Sequence, residues 1–442
     1  MFPRFFFLSN EEMLQVLCAS GSSHPHHQVA DIIPRIFNGV QRLVTVQVPD
    51  DANSSTILKK NQKRPNANHH TAMQWIVTGM QATSGETLTF KTPVIPEGNC
   101  EHWLEELEFR MRLTVGQHIT SSLTARAAMQ DKSTKWLASA PGQIIDVCES
   151  ITLTRQLEDC FQSSVKAPRK LREMDEGMAQ KIQTLVHSIR RSNSTLLAPP
   201  SKTPSTKSNT AAEIAAAAVA RRKKRKKKVK AHQHRVLLRK KMENVILLHL
   251  NMKNTLVHLI ENKIDAKTSF EMLSQLKFYW RPRTTGGSGT NSGHNRGGGS
   301  EPVLKEVEGR NLFEMLEHVK EEKAADAAEA AEAAEAEAAA LDPTVNTALA
   351  KAAAEQDNHY DPVYIAVMHA DVCYENEFIG TVPRLSLTPL VLKCQRTLAC
   401  AFQIHNGFYV TGTSGVGKTD MCKDIATTVG VPVSTVGFGL CS

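Results

Sequence analysis

Apolar residues recur at helical spacing through much of the first 190 positions of the chain. Segment 99–129 predicts a long amphipathic helix, one face of which carries Trp103, Leu104, Leu107 and Met111. Segment 9–20 predicts a shorter helix, with Ser9 or Asn10 as its N-cap and acidic residues in its first turn. Between them, LTFKTPVIPEG (88–98) predicts a short extended stretch closed by proline and glycine. We therefore expect this part of the chain to be ordered and mostly helical.

A helical stretch is expected to resume at Ala211 and to carry the basic residues of 221–230. Segment 236–264 predicts a strongly apolar-periodic helix. The stretch SFEMLSQLKFYW (269–280) follows, and at helical spacing it carries Phe270, Leu273, Leu276 and Trp280. Further along, VYIAV (363–367) predicts a strand, and a helix is expected to begin near Pro389.

Three segments have the composition of spacers. Residues 192–210 are rich in Ser, Thr, Pro and Lys, and predict a flexible linker. Residues 284–300 are rich in glycine and predict a second flexible spacer. Residues 320–343 consist largely of alanine and glutamate, which are strong helix formers, so this tract predicts a solvated helix with little apolar surface to bury.

The positive charge of the chain is concentrated in one run. The formal net charge is +8, and residues 221–230 alone carry nine positive charges, so the remainder is close to neutral. Such a run could bind nucleic acid phosphates or serve as a nuclear address. It has no interleaved aromatic residues for base stacking, so we favour a solvated helix within an insertion and do not expect nucleic acid as a partner.

Cysteine usage and hydropathy indicate the compartment. The nine cysteines include no Cys-x-x-Cys pair, which favours a reducing, intracellular environment. No apolar run approaches the length of a membrane span, and the four consecutive apolar residues at 5–8 are too few for the core of a signal peptide, so we expect a soluble cytoplasmic protein without a membrane partner. The histidine clusters lack cysteine or carboxylate residues at ligand spacing and do not predict a metal site: His24, His26, His27, His69 and His70.

Residues 412–419 match the phosphate-binding pattern Gly-x-x-x-x-Gly-Lys-Thr. Its glycines let successive backbone N–H groups turn toward phosphate oxygens, and the following helix adds a partial positive charge. Lys418 would reach the β- and γ-phosphates of ATP, and the Thr419 hydroxyl would bind Mg²⁺. The candidate phosphate-site residues are Gly412, Thr413, Ser414, Gly415, Val416, Gly417, Lys418, Thr419 and Asp420.

The elements around this loop have the order that a phosphate-binding loop requires. A strand at 407–412 precedes it, a helix over 418–429 follows with Gly430 just beyond its end, and a second strand begins at 431. Hydrolysis needs an acidic Walker-B residue as well, and the only acids after the loop are Asp420 and Asp424 on its own helix. We therefore expect this chain alone to bind ATP at most and assign it no catalytic residue.

Several separate stretches resemble the dynein heavy chains, in the order that this family has them. The residues concerned are FPRFFFLSNEEMLQVL (2–17), GETLTFKTPVIPEGNCEHWLEELE (85–108), KWLASAPGQIIDVCESITLT (135–154), FEMLSQLKFYW (270–280) and VYIAVMHADVCYENEFIGTVPRLSLTPLVLKCQRTL (363–398). The sequence FFFLSN is more similar to axonemal than to cytoplasmic members of the family. The resemblance implies that Leu387, Thr388, Pro389 and Leu390 line an adenine pocket. Thr388 and Pro389 also suit a helix N-cap and first position, and both interpretations can hold together.

The resemblance implies a mostly helical linker followed by the N-terminal part of an α/β P-loop (AAA+) module, with two low-complexity insertions. The predicted division begins with a helical linker segment (1–191), a Ser/Pro-rich and basic insertion (192–235) and a second helical linker segment (236–283). A Gly-rich and Ala/Glu-rich spacer (284–361) and a truncated AAA+ module (362–442) follow. The rest of the ring and the microtubule-binding stalk are not in this sequence, so we expect a fragment of a far larger motor.

The resemblance also implies partners and a location. In this family, nucleotide turnover in the first module drives a linker swing along microtubules. The implied partners are dynein intermediate, light intermediate and light chains, with microtubules contacted through other parts of a full-length chain, and the implied location is the cytoskeleton, in a cilium or flagellum axoneme. A non-motor scaffold and a nucleic-acid-binding protein using residues 221–230 remain as alternatives.

Overall fold

The computed structural model describes residues 2–19, 29–49, 73–128, 133–162, 166–197, 211–281 and 362–435. We refer to residues 2–281 as the helical region and to residues 362–435 as the P-loop segment. The helices are α1 (Asn10–Ala19), α2 (Ile33–Ile36), α3 (Cys100–Ala128), α4 (Ser133–Ser139), α5 (Gly142–Cys160), α6 (Ala167–Leu197), α7 (Ala211–Glu261), α8 (Phe270–Leu273), α9 (Pro389–Gln403) and α10 (Lys418–Val429). The strands are β1 (Val40–Pro49), β2 (Met73–Ala82), β3 (Thr87–Val94), β4 (Lys277–Trp280), β5 (Val363–Val367) and β6 (Ala370–Cys373).

A three-stranded antiparallel sheet in the order β1-β2-β3 lies near the start of the chain. Strand β3 overlaps the extended stretch predicted at 88–98, whereas β1 and β2 were not predicted. Helix α3 packs against β3 through the predicted apolar face, on which Trp103 and Met111 are almost fully buried. The mostly helical fold class is confirmed, and the sheet adds a flat surface on which α3 can bury that face.

Helix α5 contacts α3, α6 and α7, and α6 also packs against α7. Side chains of α5 and α7 bond the P-loop segment: Gln143 donates to the Tyr374 hydroxyl at 2.8 Å, and Asn244 donates to the Val382 carbonyl oxygen at 2.9 Å. Helix α6 continues to Leu197, so the backbone of 192–197 is helical where a flexible linker was predicted. Helix α7 crosses position 235/236 without a break, and a boundary was predicted there.

Although its apolar residues fall at helical spacing, the stretch 269–280 is not one helix. Ser269 caps the short helix α8 by accepting a hydrogen bond from the Met272 amide, and the chain then turns into strand β4. Along β4, Phe278 and Trp280 are buried on one face, which is strand alternation. Aromatic residues such as those of KFYW are common in strands. The strand forms here because β5 pairs with its backbone, and only the folded chain brings β5 next to it.

The second sheet joins the two parts of the molecule. Its order is β4-β5-β6, so a strand of the helical region pairs in antiparallel register with the first strand of the P-loop segment. One hydrophobic core is continuous through both parts and includes Ile36, Trp136, Phe278, Tyr374 and Val429.

Some predictions fall outside the described residues. These are the Gly-rich spacer and the Ala/Glu tract, together with the histidine clusters. The basic run lies on the helical backbone of α7, but the side chains of 221–228 are outside the described part. Among helices of the described ranges, none has the combination of length and apolar character that crossing a bilayer requires.

Candidate nucleotide-binding site

The phosphate-binding pattern forms a loop that opens directly into a helix. Gly417 is the N-cap of α10 in the left-handed conformation (φ 82°), and Gly415 has a similar φ of 81°. Both positions favour glycine because a β-carbon is disfavoured there. The positive end of α10 therefore faces the loop, which is the arrangement that favours an anionic ligand.

Lys418 lies across this loop. Its Nζ atom donates hydrogen bonds to the carbonyl oxygens of Gly412 at 2.8 Å and Thr413 at 2.6 Å. The ammonium group is thus held at the loop by neutral acceptors, which a phosphate oxygen could replace with stronger bonds between two charged partners. Thr413, Ser414 and Val416 are exposed, so the loop is open to solvent.

The strands predicted on either side of the loop are not formed as hydrogen-bonded strands. Residues 407–413 and 431–435 are irregular, and Tyr409 is 91% exposed. A strand requires a neighbour for its N–H and C=O groups, and no strand of the described ranges pairs with these residues. The prediction of strands at 407–412 and from 431 is therefore corrected for the described residues.

The far end of α10 is held against the start of the P-loop segment. Gly430 ends the helix with φ 73°, as predicted. The amides of Glu375 and Glu377 donate to the carbonyl oxygens of Val429 at 3.1 Å and Gly430 at 3.0 Å. A β-carbon on Gly430 would lie 2.7 Å from the Tyr374 ring, so glycine is required there by close packing as well as by backbone conformation.

The predicted adenine-side residues lie at the start of α9. Thr388 is the N-cap and accepts a hydrogen bond from the Val391 amide at 3.3 Å, and Pro389 is the first helical residue. The capping interpretation is therefore confirmed. Leu390 is 72% exposed and Leu387 is half-buried, so both could take part in binding a ligand.

Helices α9 and α10 pack together and bring the two predicted parts of the site onto one support. Leu398 of α9 forms a buried cluster with Met421 and Ile425 of α10, and Val391 packs against it. Val391 directly follows the 387–390 stretch, and Met421 lies just after the phosphate loop. Both stretches therefore lead into helices that pack against each other.

Asp424 was considered in the sequence only as an acid after the loop, and its position reveals a structural role. Its buried carboxylate accepts hydrogen bonds from the Leu385 amide at 3.3 Å and from Gln395 Nε2 at 3.2 Å. It also pairs with Arg384 Nε at 3.2 Å. Asp424 shares a helix face with Met421 and Thr428, which are also buried. The spacing of these three residues was the sequence signal that could have predicted the burial of Asp424.

A buried ion-pair network joins the helical region to the P-loop segment at the chain start. Arg4 donates to both carboxylate oxygens of Glu377, at 2.7 and 2.6 Å, and to both of Glu108, at 3.1 and 2.9 Å. Burial alone would lower the pKa of Arg4, but the hydrogen bonds and charges of Glu377 and Glu108 outweigh it and raise that pKa.

A second buried network lies around Glu86. Its carboxylate accepts hydrogen bonds from the Gly142 amide at 2.9 Å and the Thr381 hydroxyl at 2.7 Å, and it pairs with Lys241 at 2.9 Å. Burial would raise the pKa of Glu86, but Lys241 and these donors outweigh it and hold the pKa below its ordinary value. Residues of β2–β3, α5, α7 and the P-loop segment thus meet at one carboxylate.

Two family models match the chain. "Dynein heavy chain, N-terminal region 2" matches residues 1–122, and "Hydrolytic ATP binding site of dynein motor region" matches residues 374–438, which include the phosphate loop. Both models describe parts of dynein heavy chains, so the matches support the resemblance to that family. The matches fit the helical linker that the sequence predicted, followed by the start of an α/β nucleotide-binding module. Below, the helical region is called the linker and the P-loop segment the module.

Curated relatives match the chain over nearly its whole length. It is 20% identical to dynein axonemal heavy chain 2 of Mus musculus over 99% of this chain, and 24% identical to the dynein-1-beta heavy chain of the flagellar inner arm I1 complex of Chlamydomonas reinhardtii over 96%. The chain spans only 7% and 6% of the lengths of these relatives. The matches support the axonemal resemblance, and none of them supports the scaffold or nucleic-acid alternatives.

Proposed function

We propose that residues 412–420 bind the phosphates of ATP and that residues 387–390 contact its adenine. The loop backbone would bind the phosphates, Lys418 would pair with the β- and γ-phosphates, and Thr419 would hold Mg²⁺. The observation that carries this proposal is the loop itself, with left-handed Gly417 opening α10 and Lys418 held across the loop carbonyls. The match to the hydrolytic ATP-binding site of dynein supports it.

We infer that this chain provides the linker and the first nucleotide-binding segment of a microtubule motor heavy chain. Nucleotide turnover would then drive a movement of the linker. The described residues include no Walker-B acid beyond α10, so we expect these residues to bind nucleotide without hydrolysing it. Because the matched relatives are named as axonemal and flagellar heavy chains, we place the protein in a cilium or flagellum, with intermediate, light intermediate and light chains and microtubules as partners.

The test is binding of ATP to the full chain in the presence of Mg²⁺, measured by calorimetry. Lys418→Ala should weaken ATP binding by about 30-fold, because charge-assisted bonds to phosphate are lost. Lys423→Ala is the matched control, since Lys423 is exposed on the same helix, and it should leave affinity unchanged. Equal affinities for wild type and Lys418→Ala would contradict the proposed phosphate role.

A further inference from the structure

The segment just before α9, residues 384–388, is anchored by two side chains from different parts of the molecule. From α10, the Asp424 carboxylate accepts a hydrogen bond from the Leu385 amide at 3.3 Å. From α7 of the linker, Asn251 Oδ1 accepts a hydrogen bond from the Leu387 amide at 3.2 Å. Two backbone amides that lie two residues apart are therefore held by the phosphate-loop helix and by the linker.

The Asp424 anchor is strongly constrained. The Asp424 side chain is 4% exposed and that of Arg384 is 16% exposed, so their pairing is shielded from water. Arg384 also donates to the Thr428 hydroxyl at 2.5 Å, one helical turn beyond Asp424. The segment cannot shift along α10 without breaking several polar contacts, two of which involve buried groups of Asp424 and Thr428.

The Asn251 anchor is of a different kind. Asn251 is half-buried on α7, and its contact with Leu387 is a single hydrogen bond to a backbone group. It lies directly beside the proposed adenine-contacting residues, which begin at Leu387. A shift of α7 would therefore move, or release, the amide at the edge of that stretch.

We propose that Asp424 and Asn251 are positioning residues that set the adenine-contacting stretch relative to the phosphate loop, so that adenine recognition depends on the placement of linker helix α7. This inference rests on the proposed function, because it assigns the support of the same nucleotide site. Neither side chain has a contact with residues 412–419 among the polar contacts described for it, so phosphate binding should not depend on the Asn251 anchor.

The experiment compares two ligands on the full chain in Mg²⁺ buffer. ATP uses both ends of the site, whereas inorganic tripolyphosphate uses only the phosphate end. Asn251→Ala should weaken ATP binding by about fivefold, the effect of one lost hydrogen bond, and leave tripolyphosphate binding unchanged. Asn251→Asp keeps an acceptor oxygen and should restore ATP affinity. Asn254→Ala, at an exposed asparagine of the same helix, should change neither ligand.

Asp424→Asn provides the second arm, because it preserves the size of the side chain while removing the charge that pairs with Arg384. It should also weaken ATP binding more than tripolyphosphate binding. If both ligands weaken equally in both anchor variants, or if neither ligand is affected, the positioning role is refuted. If the wild-type chain binds tripolyphosphate but not ATP, the adenine assignment fails, and if it binds neither, the proposed function itself fails.

Discussion

Arg4 connects three elements through one guanidinium group. It bonds Glu108 on α3, Glu377 of the P-loop segment and the carbonyl oxygen of Ile36, and its guanidinium lies 4.7 Å from the centre of the Phe37 ring. The side chain of Glu377 is only 1% exposed. Such a buried pair contributes little relative to an apolar replacement of both partners, but removing one partner leaves a charge unpaired in a medium of low dielectric constant.

Arg4→Met should therefore lower the free energy of unfolding by about 3–5 kcal/mol. The measurement is urea unfolding followed by circular dichroism. Adding Glu377→Gln should recover part of the loss, since the buried carboxylate is then absent. Arg169→Ala is the control: its pair with Glu173 on α6 is 86% and 60% exposed, and its loss should change stability by less than about 0.5 kcal/mol. A small effect of Arg4→Met would contradict the cost expected for leaving a buried carboxylate unpaired.

At the scale of elements, α10 is defined by a glycine at each end. Gly417 opens the helix and forms the phosphate loop, and Gly430 ends it against Tyr374. Both have left-handed backbone conformations, but only at Gly430 would a β-carbon also meet a ring. The C-terminal end of α10 is therefore where the helix is locked to the linker-facing part of the module.

Gly430→Ala should destabilise the chain by about 2 kcal/mol or more, because it combines an unfavourable backbone conformation with a steric clash. Gly177→Ala should do the opposite and stabilise by about 0.5–1 kcal/mol. Gly177 lies within α6, and a β-carbon there would meet nothing within 4 Å. Thermal unfolding of the two variants beside wild type measures both effects, and shifts of the same sign would contradict the argument.

At the scale of the whole molecule, a cavity of about 20 Å³ lies where the linker meets the module, with Asp146 and Arg384 in its lining. Asp146 Oδ1 has no hydrogen-bond partner among the described residues, and Oδ2 accepts a hydrogen bond from Asn244 at 3.0 Å. Burial raises the pKa of Asp146 to about 7, although the charge of Arg384 and the Asn244 hydrogen bond oppose this, and the carboxylates of Glu86 and Glu149 add to it.

The sign of the resulting pH dependence follows from linkage. Because the folded pKa lies above the ordinary value of 3.8, the folded state retains a proton that the unfolded state has lost between about pH 4 and pH 7. The contribution of Asp146 to stability therefore falls as pH rises through this window. Relative to wild type, Asp146→Asn should gain about 2 kcal/mol between pH 5 and pH 8.

Urea unfolding at both pH values tests this. Asp371→Asn, at an exposed position on β6, is the control and should follow the wild-type pH profile. Parallel pH profiles for wild type and Asp146→Asn would contradict the assignment of the proton to Asp146.

Some features were predictable because their cause is local. The periodicity around Trp103 and Leu107 predicted α3 and its buried face, and Ser9 is confirmed as the cap of α1, since it exchanges hydrogen bonds with Glu12. The Gly-Lys-Thr pattern predicted the loop and α10, because glycine conformations and helix capping depend on neighbouring residues. The assignment of the candidate site residues to ATP stays a prediction.

Other features depended on partners that are distant in the sequence. Strand β4 forms because β5 pairs with it, and Arg4 bonds a carboxylate 373 residues away. Asp424 and Asn251 are ordinary helix residues until the fold brings the segment before α9 between them. The sequence by itself determined the helical periodicity and the phosphate loop, since these follow from local conformation. Only the tertiary structure decided how the linker and the nucleotide-binding segment are joined, because buried polar groups and sheet edges are satisfied by whichever distant groups packing brings within hydrogen-bond distance.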